Sequence, residues 1–113
     1  MANTHNANLT TVVILGKGDV DEQQFKNWLE ETTKSFGKQI FRMKGIIAMK
    51  NDNKQYTLQG VHELFSIQEH PSGKVWTPED EKLTKVVFIG TGLNKEEMNA
   101  SFKEKLGIDS FWM

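Results

Sequence analysis

The stretch from Gln39 to Gln68, QIFRMKGIIAMKNDNKQYTLQGVHELFSIQ, constrains the fold more than any other part of the chain. Two extended runs rich in β-branched and aromatic residues flank the turn cluster Asn51-Asp52-Asn53, the composition of a long β-hairpin. A period of two places Phe41, Met43, Gly45, Ile47 and Met49 on one face of the first arm, and Arg42, Lys44, Ile46 and Ala48 on the other. The first set suits a layer beneath helices. The second sets two cations among apolar neighbours, which suits a face left open. The return arm, Gln55 to Gln59, meets Gly60, a strand-interior glycine that marks a bulge or a close backbone approach. Beyond it Val61, Glu63, Phe65 and Ile67 alternate with His62, Leu64, Ser66 and Gln68, so the run is either one bent strand or two.

The flanking sequence supplies partners for this hairpin. Leu9 to Leu15 is a β-branched run that predicts a first strand, and Thr84 to Ile89 predicts the last. Asp21 and Gln24 stand at capping-box spacing before an apolar stripe of Phe25, Trp28, Leu29 and Phe36, closed by Gly37. Asn94 and Glu97 repeat the device before Met98, Phe102 and Leu106, closed by Gly107. Residues 69–83 read as a loop in which Thr77-Pro78-Glu79-Asp80 caps a single helical turn. Trp76, alone in that loop, either folds back over a core edge or anchors a partner. The pattern predicts an α+β two-layer sandwich: a mainly antiparallel sheet of about four strands, in the order strand, helix, hairpin, strand, helix, with both helices on one face. Residues 1–8, which include His5, read as a disordered lead-in, residues 9–107 as one domain, and residues 108–113 as a short tail.

Several function classes are excluded or weakened. The 113-residue chain has no cysteine, which removes disulfides, thiolate metal sites and cysteine nucleophiles. Its net charge is −1 with lysines and arginines dispersed, which argues against a nucleic-acid partner. No apolar run reaches the roughly 20 residues that cross a bilayer, so the expectation is no membrane partner and a cytoplasmic location. Gly16-Lys17-Gly18 lacks the spacing and the hydroxyl of a phosphate loop, and Gly90-Thr91-Gly92 has Lys95 where a dinucleotide fingerprint has its third glycine. Gln59-Gly60-Val61 is similar to the phosphate loop of acylphosphatases, but Leu64 stands where that family has an arginine, so phosphate has no cation to meet. His62-Glu63 and Glu69-His70 offer nitrogen and oxygen ligands, with His62 and His70 the metal candidates, in a spacing that matches no metal motif.

Taken together, Arg42-Met43-Lys44-Gly45, Gln59-Gly60-Val61, Trp76 and Val87-Phe88-Ile89-Gly90 followed by Leu93 and a helix resemble the C-terminal domain of CobW-type metallochaperone GTPases. The resemblance runs from Leu9 to Leu106, and Gln59 to Leu64 is most similar to the eukaryotic, zinc-associated branch. It implies an accessory domain, excised or separately encoded, with no catalysis and no cofactor of its own. GTP, magnesium and zinc would come only with the parent GTPase domain, whose P-loop and Cys-rich metal motif are absent from this sequence. The implied partners are a CobW-type GTPase domain, in cis or in trans, and a client metalloprotein. On that reading the candidate interaction residues are Arg42, Lys44, Gln59, His62 and Trp76. The alternative is a self-standing small metal binder, or a phosphate-handling enzyme, that uses His62, Glu63, Glu69 and His70.

Overall fold

The computed structural model describes residues 9–113, so the lead-in expected over residues 1–8 lies outside the described residues. The elements run β1 (Leu9–Lys17), α1 (Glu22–Phe36), β2 (Ile40–Ala48), β3 (Gln55–Val61), β4 (Leu64–Glu69), β5 (Leu83–Thr91), α2 (Lys95–Leu106) and β6 (Ser110–Trp112), with a 3-10 turn at Gly37–Gln39. The strands form one antiparallel sheet in the order β4-β3-β2-β5-β1-β6, and the two helices pack on one of its faces. This is the two-layer α+β sandwich predicted, with six strands in place of about four.

Two local features supply the extra strands. His62 and Glu63 form a tight turn, with His62 at φ 55, the left-handed conformation that two-residue hairpins favour. Val61 therefore pairs with Leu64, so the run divides into β3 and β4. The strand alternation that would set His62 and Glu63 on opposite faces does not apply. At the C-terminus, Ser110, Phe111 and Trp112 pair with Gly16, Leu15 and Ile14. The buried Ser110 hydroxyl donates to Asn99 Oδ1 at 2.7 Å, which ties this last strand to α2.

A bulge in β2 decides which residue enters the core. Ile40 pairs with Gly90 and Arg42 with Ile89, so Phe41 is the extra residue. Ile40 is fully buried while Phe41 is 44% exposed, which corrects the expected place of Phe41 beneath the helices. Gly90 permits the bulge, because a Cβ there would collide with the Gln39 carbonyl. Gly60 serves a similar end: a Cβ would come within 2.7 Å of the Leu64 carbonyl and 2.8 Å of Met43 Cγ.

Both helices start where the capping residues predict. Asp21 Oδ1 accepts the Gln24 amide at 2.9 Å, and Asn94 Oδ1 accepts the Glu97 amide at 3.0 Å. Trp28 is the centre of the core they bury. Its ring lies 5.0 Å from Phe102, 5.8 Å from Phe25 and 6.0 Å from Phe88, centroid to centroid. Its indole N–H is satisfied by Ser101 Oγ at 2.9 Å, so the large ring is buried without an orphaned donor.

The segment at residues 69–83 forms turns in place of the predicted helical turn. The Asp80 carboxylate accepts the Thr77 amide at 2.8 Å and its hydroxyl at 3.1 Å, bonds that hold Asp80 below the usual carboxylate range. At the β2–β3 turn the Tyr56 hydroxyl donates to Asp52, which also accepts the Lys54 amide. This bond lowers the Asp52 carboxyl and pushes the Tyr56 phenol up to about 12.

Candidate functional site

Hairpin register brings three of the five predicted interaction residues together. Lys44 stands opposite Gln59, Gln59 opposite Ser66, and Arg42 lies two residues along β2 from Lys44. All of them point away from the helices, since the intervening Met43 and Leu58 are buried. With Ile46, Thr57, Val61 and Leu64 they line an open trough of about 870 Å³ over β2, β3 and β4. Leu64 is 79% exposed and Val61 51% exposed, a large apolar presentation for a strand pair that no layer of the described residues covers.

Charge on the strands is one-sided. The six strands hold four cations, Lys17, Arg42, Lys44 and Lys85, and one carboxylate, Glu69. Lys85 stands opposite Ile46 and so shares the open face with Arg42 and Lys44. Lys17 lies 5.8 Å above the Phe111 ring, at the far edge of that face. Glu69 stands opposite Tyr56, at the end of β4, and pairs with Lys54 at 3.4 Å. Among the described residues none of the four strand cations takes part in an ion pair.

The other sequence candidates lie elsewhere. His62 occupies the β3–β4 turn at one end of the hairpin, where its amide donates to the Ile40 carbonyl at 3.0 Å. Trp76 lies at the opposite end, its amide donating to the Asn53 carbonyl at 2.6 Å. The Trp76 indole is half-buried and its Nε1 is enclosed without a partner among the described residues. His62 and His70 flank β4, whose six residues at roughly 3.3 Å each hold them about 20 Å apart, too far to share an ion. The His70 ring engages Ser72, 2.9 Å from its hydroxyl. Among the described residues no three His, Asp or Glu side chains converge on a metal-sized site.

Sequence reasoning set Ile46 on the open face without naming it as a site residue, and missed Val61, Leu64 and Lys85. The outward parity of Lys85 was legible from its alternation with buried Thr84 and Val86. Val61 and Leu64 depended on recognising the His62-Glu63 turn, which a histidine in the left-handed region conceals. The chemistry the trough offers is recognition: cations, the Gln59 amide, the Ser66 hydroxyl and apolar walls, with no nucleophile set beside a base.

The model of the cobalamin synthesis protein cobW C-terminal domain matches residues 9–106. Among solved structures, a Zn(II)-bound triple mutant of the YjiA GTPase is similar with a TM-score of 0.79 and 22% identity, over 88% of this chain and 30% of that one. Zn(II)-bound YjiA GTPase from E. coli is similar with a TM-score of 0.77 and 23% identity, over 92% of this chain and 31% of that one. The chain thus spans less than a third of the length of either solved protein. At these identities the likeness establishes the fold alone.

Proposed function

This chain belongs to the CobW C-terminal domain family, and from that premise we propose that it acts as an accessory, regulatory interaction domain of a CobW-type, GTP-dependent zinc chaperone. It works by contact, in the cytoplasm, with the GTPase domain in cis or in trans, or with a client metalloprotein. GTP, magnesium and the zinc cargo belong to the partner GTPase domain, and this chain performs no catalysis.

The observation that carries the reading is the trough on the open sheet face, where Arg42, Lys44 and Gln59 stand in register beside exposed Val61 and Leu64. An apolar surface rimmed by polar groups is what a protein interface needs. Supporting it, the matched solved proteins carry a domain of this fold within a GTPase roughly three times as long.

The test is to mix the chain with a separately produced CobW-type GTPase domain, and to follow association by calorimetry and GTP hydrolysis by phosphate release. Saturable binding or an altered hydrolysis rate is expected. The absence of both effects at high micromolar concentration would contradict the reading.

A further inference from the structure

The open face carries a specific combination: apolar walls from Ile46, Val61 and Leu64, cations at Arg42, Lys44 and Lys85, and no carboxylate at any outward strand position. The chain holds 15 acidic residues against 14 basic ones, so this segregation is not a consequence of net charge. The acids lie in the helices, loops and turns, apart from Glu69. On the opposite face Lys26 pairs with Glu22 and Lys105 with Glu31, at 2.9 and 2.8 Å. Among the described residues the open-face cations lack such partners.

We propose that this face seats an acidic, amphipathic helix of a partner protein, its apolar stripe against Val61, Leu64 and Ile46 and its carboxylates on Arg42 and Lys44. The inference rests on the interaction reading above and adds the chemistry of the partner. Two dimensions favour a helix. The trough covers three strands, hence two interstrand spacings of about 4.8 Å, which is close to the roughly 10 Å width of one helix. Arg42 and Lys44, two residues apart on a strand, are separated by about 6.6 Å, which matches the roughly 6 Å rise between carboxylates at i and i+4 of a helix lying along the strands. Single-stranded nucleic acid is the other polyanion to weigh, but a cationic groove holds it in combination with aromatic rings on which its bases stack. The one aromatic ring lining the trough, Phe65, stands opposite Gly60 and packs against the helix-side core.

The test uses the nitrogen-labelled full chain and three probes, read by amide chemical shifts. They are a synthetic helix with a leucine stripe and glutamates at i, i+4 spacing, the same helix with lysines for glutamates, and a single-stranded oligonucleotide of similar length. The expected result is saturable shifts at Lys44, Gln59, Val61 and Leu64 with the acidic helix, weakened at least about tenfold in Arg42→Glu/Lys44→Glu, and none with the basic helix. Equal binding of the acidic and basic helices, or acidic-helix shifts unchanged in affinity by the double reversal, overturns the proposal. So does an oligonucleotide that displaces the acidic helix, which would reassign the face to nucleic acid. The two readings separate in one further comparison. If a CobW-type GTPase domain binds the double reversal as tightly as the unmodified chain, the accessory role stands and the acidic-helix assignment falls. If that domain never binds but the acidic helix does, the reverse holds.

Discussion

The two faces of this sheet are built from the same strands, yet they differ in nearly every physical respect. The covered face carries Val12, Ile14, Ile40, Met43, Ile47, Val86 and Phe88, each nearly or fully buried around Trp28. The open face alternates with it except at the Phe41 bulge and carries Lys17, Arg42, Lys44, Lys85, Gln59 and exposed or half-exposed aliphatic residues. Folding free energy is therefore concentrated on one side, where apolar area leaves water. The other side, on the function proposed above, is left to recognition. Substitutions on the two faces should separate stability from binding, and each prediction below tests that separation.

The largest effect is expected at Trp28. Trp28→Ala removes the ring at the centre of the aromatic cluster and orphans its contact with Ser101, at a cost of about 3–5 kcal/mol. Urea denaturation followed by circular dichroism measures it, and a loss below about 1 kcal/mol would show that the core is organised elsewhere. Next comes Gly90→Ala, which forces the Gln39 carbonyl away from β5 and disturbs the bulge. The expected cost is about 1–3 kcal/mol by the same measurement.

On the open face the sign of the comparison reverses. Arg42→Glu/Lys44→Glu should leave stability within about 0.5 kcal/mol per substitution, because both side chains are exposed and, among the described residues, unpaired. It should still weaken binding of the acidic helix at least about tenfold, and an unfolded double variant would show that the two faces are not separable. Smaller again is the turn between β3 and β4. His62→Gly relieves a side chain held at φ 55, which should stabilise the chain by up to about 1 kcal/mol. No gain in the urea midpoint would show that the His62 side chain offsets its backbone strain.

The last prediction concerns the hairpin tip. Tyr56 is the only tyrosine of the chain, so its ultraviolet titration is unambiguous, with a midpoint expected at about 12. Its folded value is raised, so the stability it contributes is complete below the ordinary value of about 10 and is lost as pH rises through about 12. Asp52 has the opposite sign: its folded value is lowered, so its contribution holds above the ordinary carboxylate range and is lost only as pH falls below that range. Asp52→Asn should return the Tyr56 midpoint toward 10, and an unmoved midpoint would contradict this account of the bond.

Much of the fold was legible because periodicity and caps are local signals. Asp21, Asn94, Gly37 and Gly107 bound the helices as their chemistry predicts. The misplacement of Phe41 has a nonlocal cause: the β2 bulge depends on Gly90 admitting the Gln39 carbonyl from another strand. Counting by twos through residues 40 to 42 cannot detect that. The sixth strand was hidden because three residues carry little pattern, and its hold comes from Ser110 meeting Asn99 on α2. In the site, parity correctly turned Arg42 and Lys44 outward. The pairing of Lys44 with Gln59 required the register, and the Trp76 indole is half-buried with its Nε1 enclosed, a placement its loop composition does not encode.

The central claim is that the open face, and not the helix layer, is where a partner lands. Hydrogen exchange of the full chain with and without a CobW-type GTPase domain tests it most directly. The account predicts added protection in β3, β4 and the turn at residues 62 and 63, with α1 and α2 unchanged. Added protection confined to α1 and α2, or none at saturating partner, would contradict it.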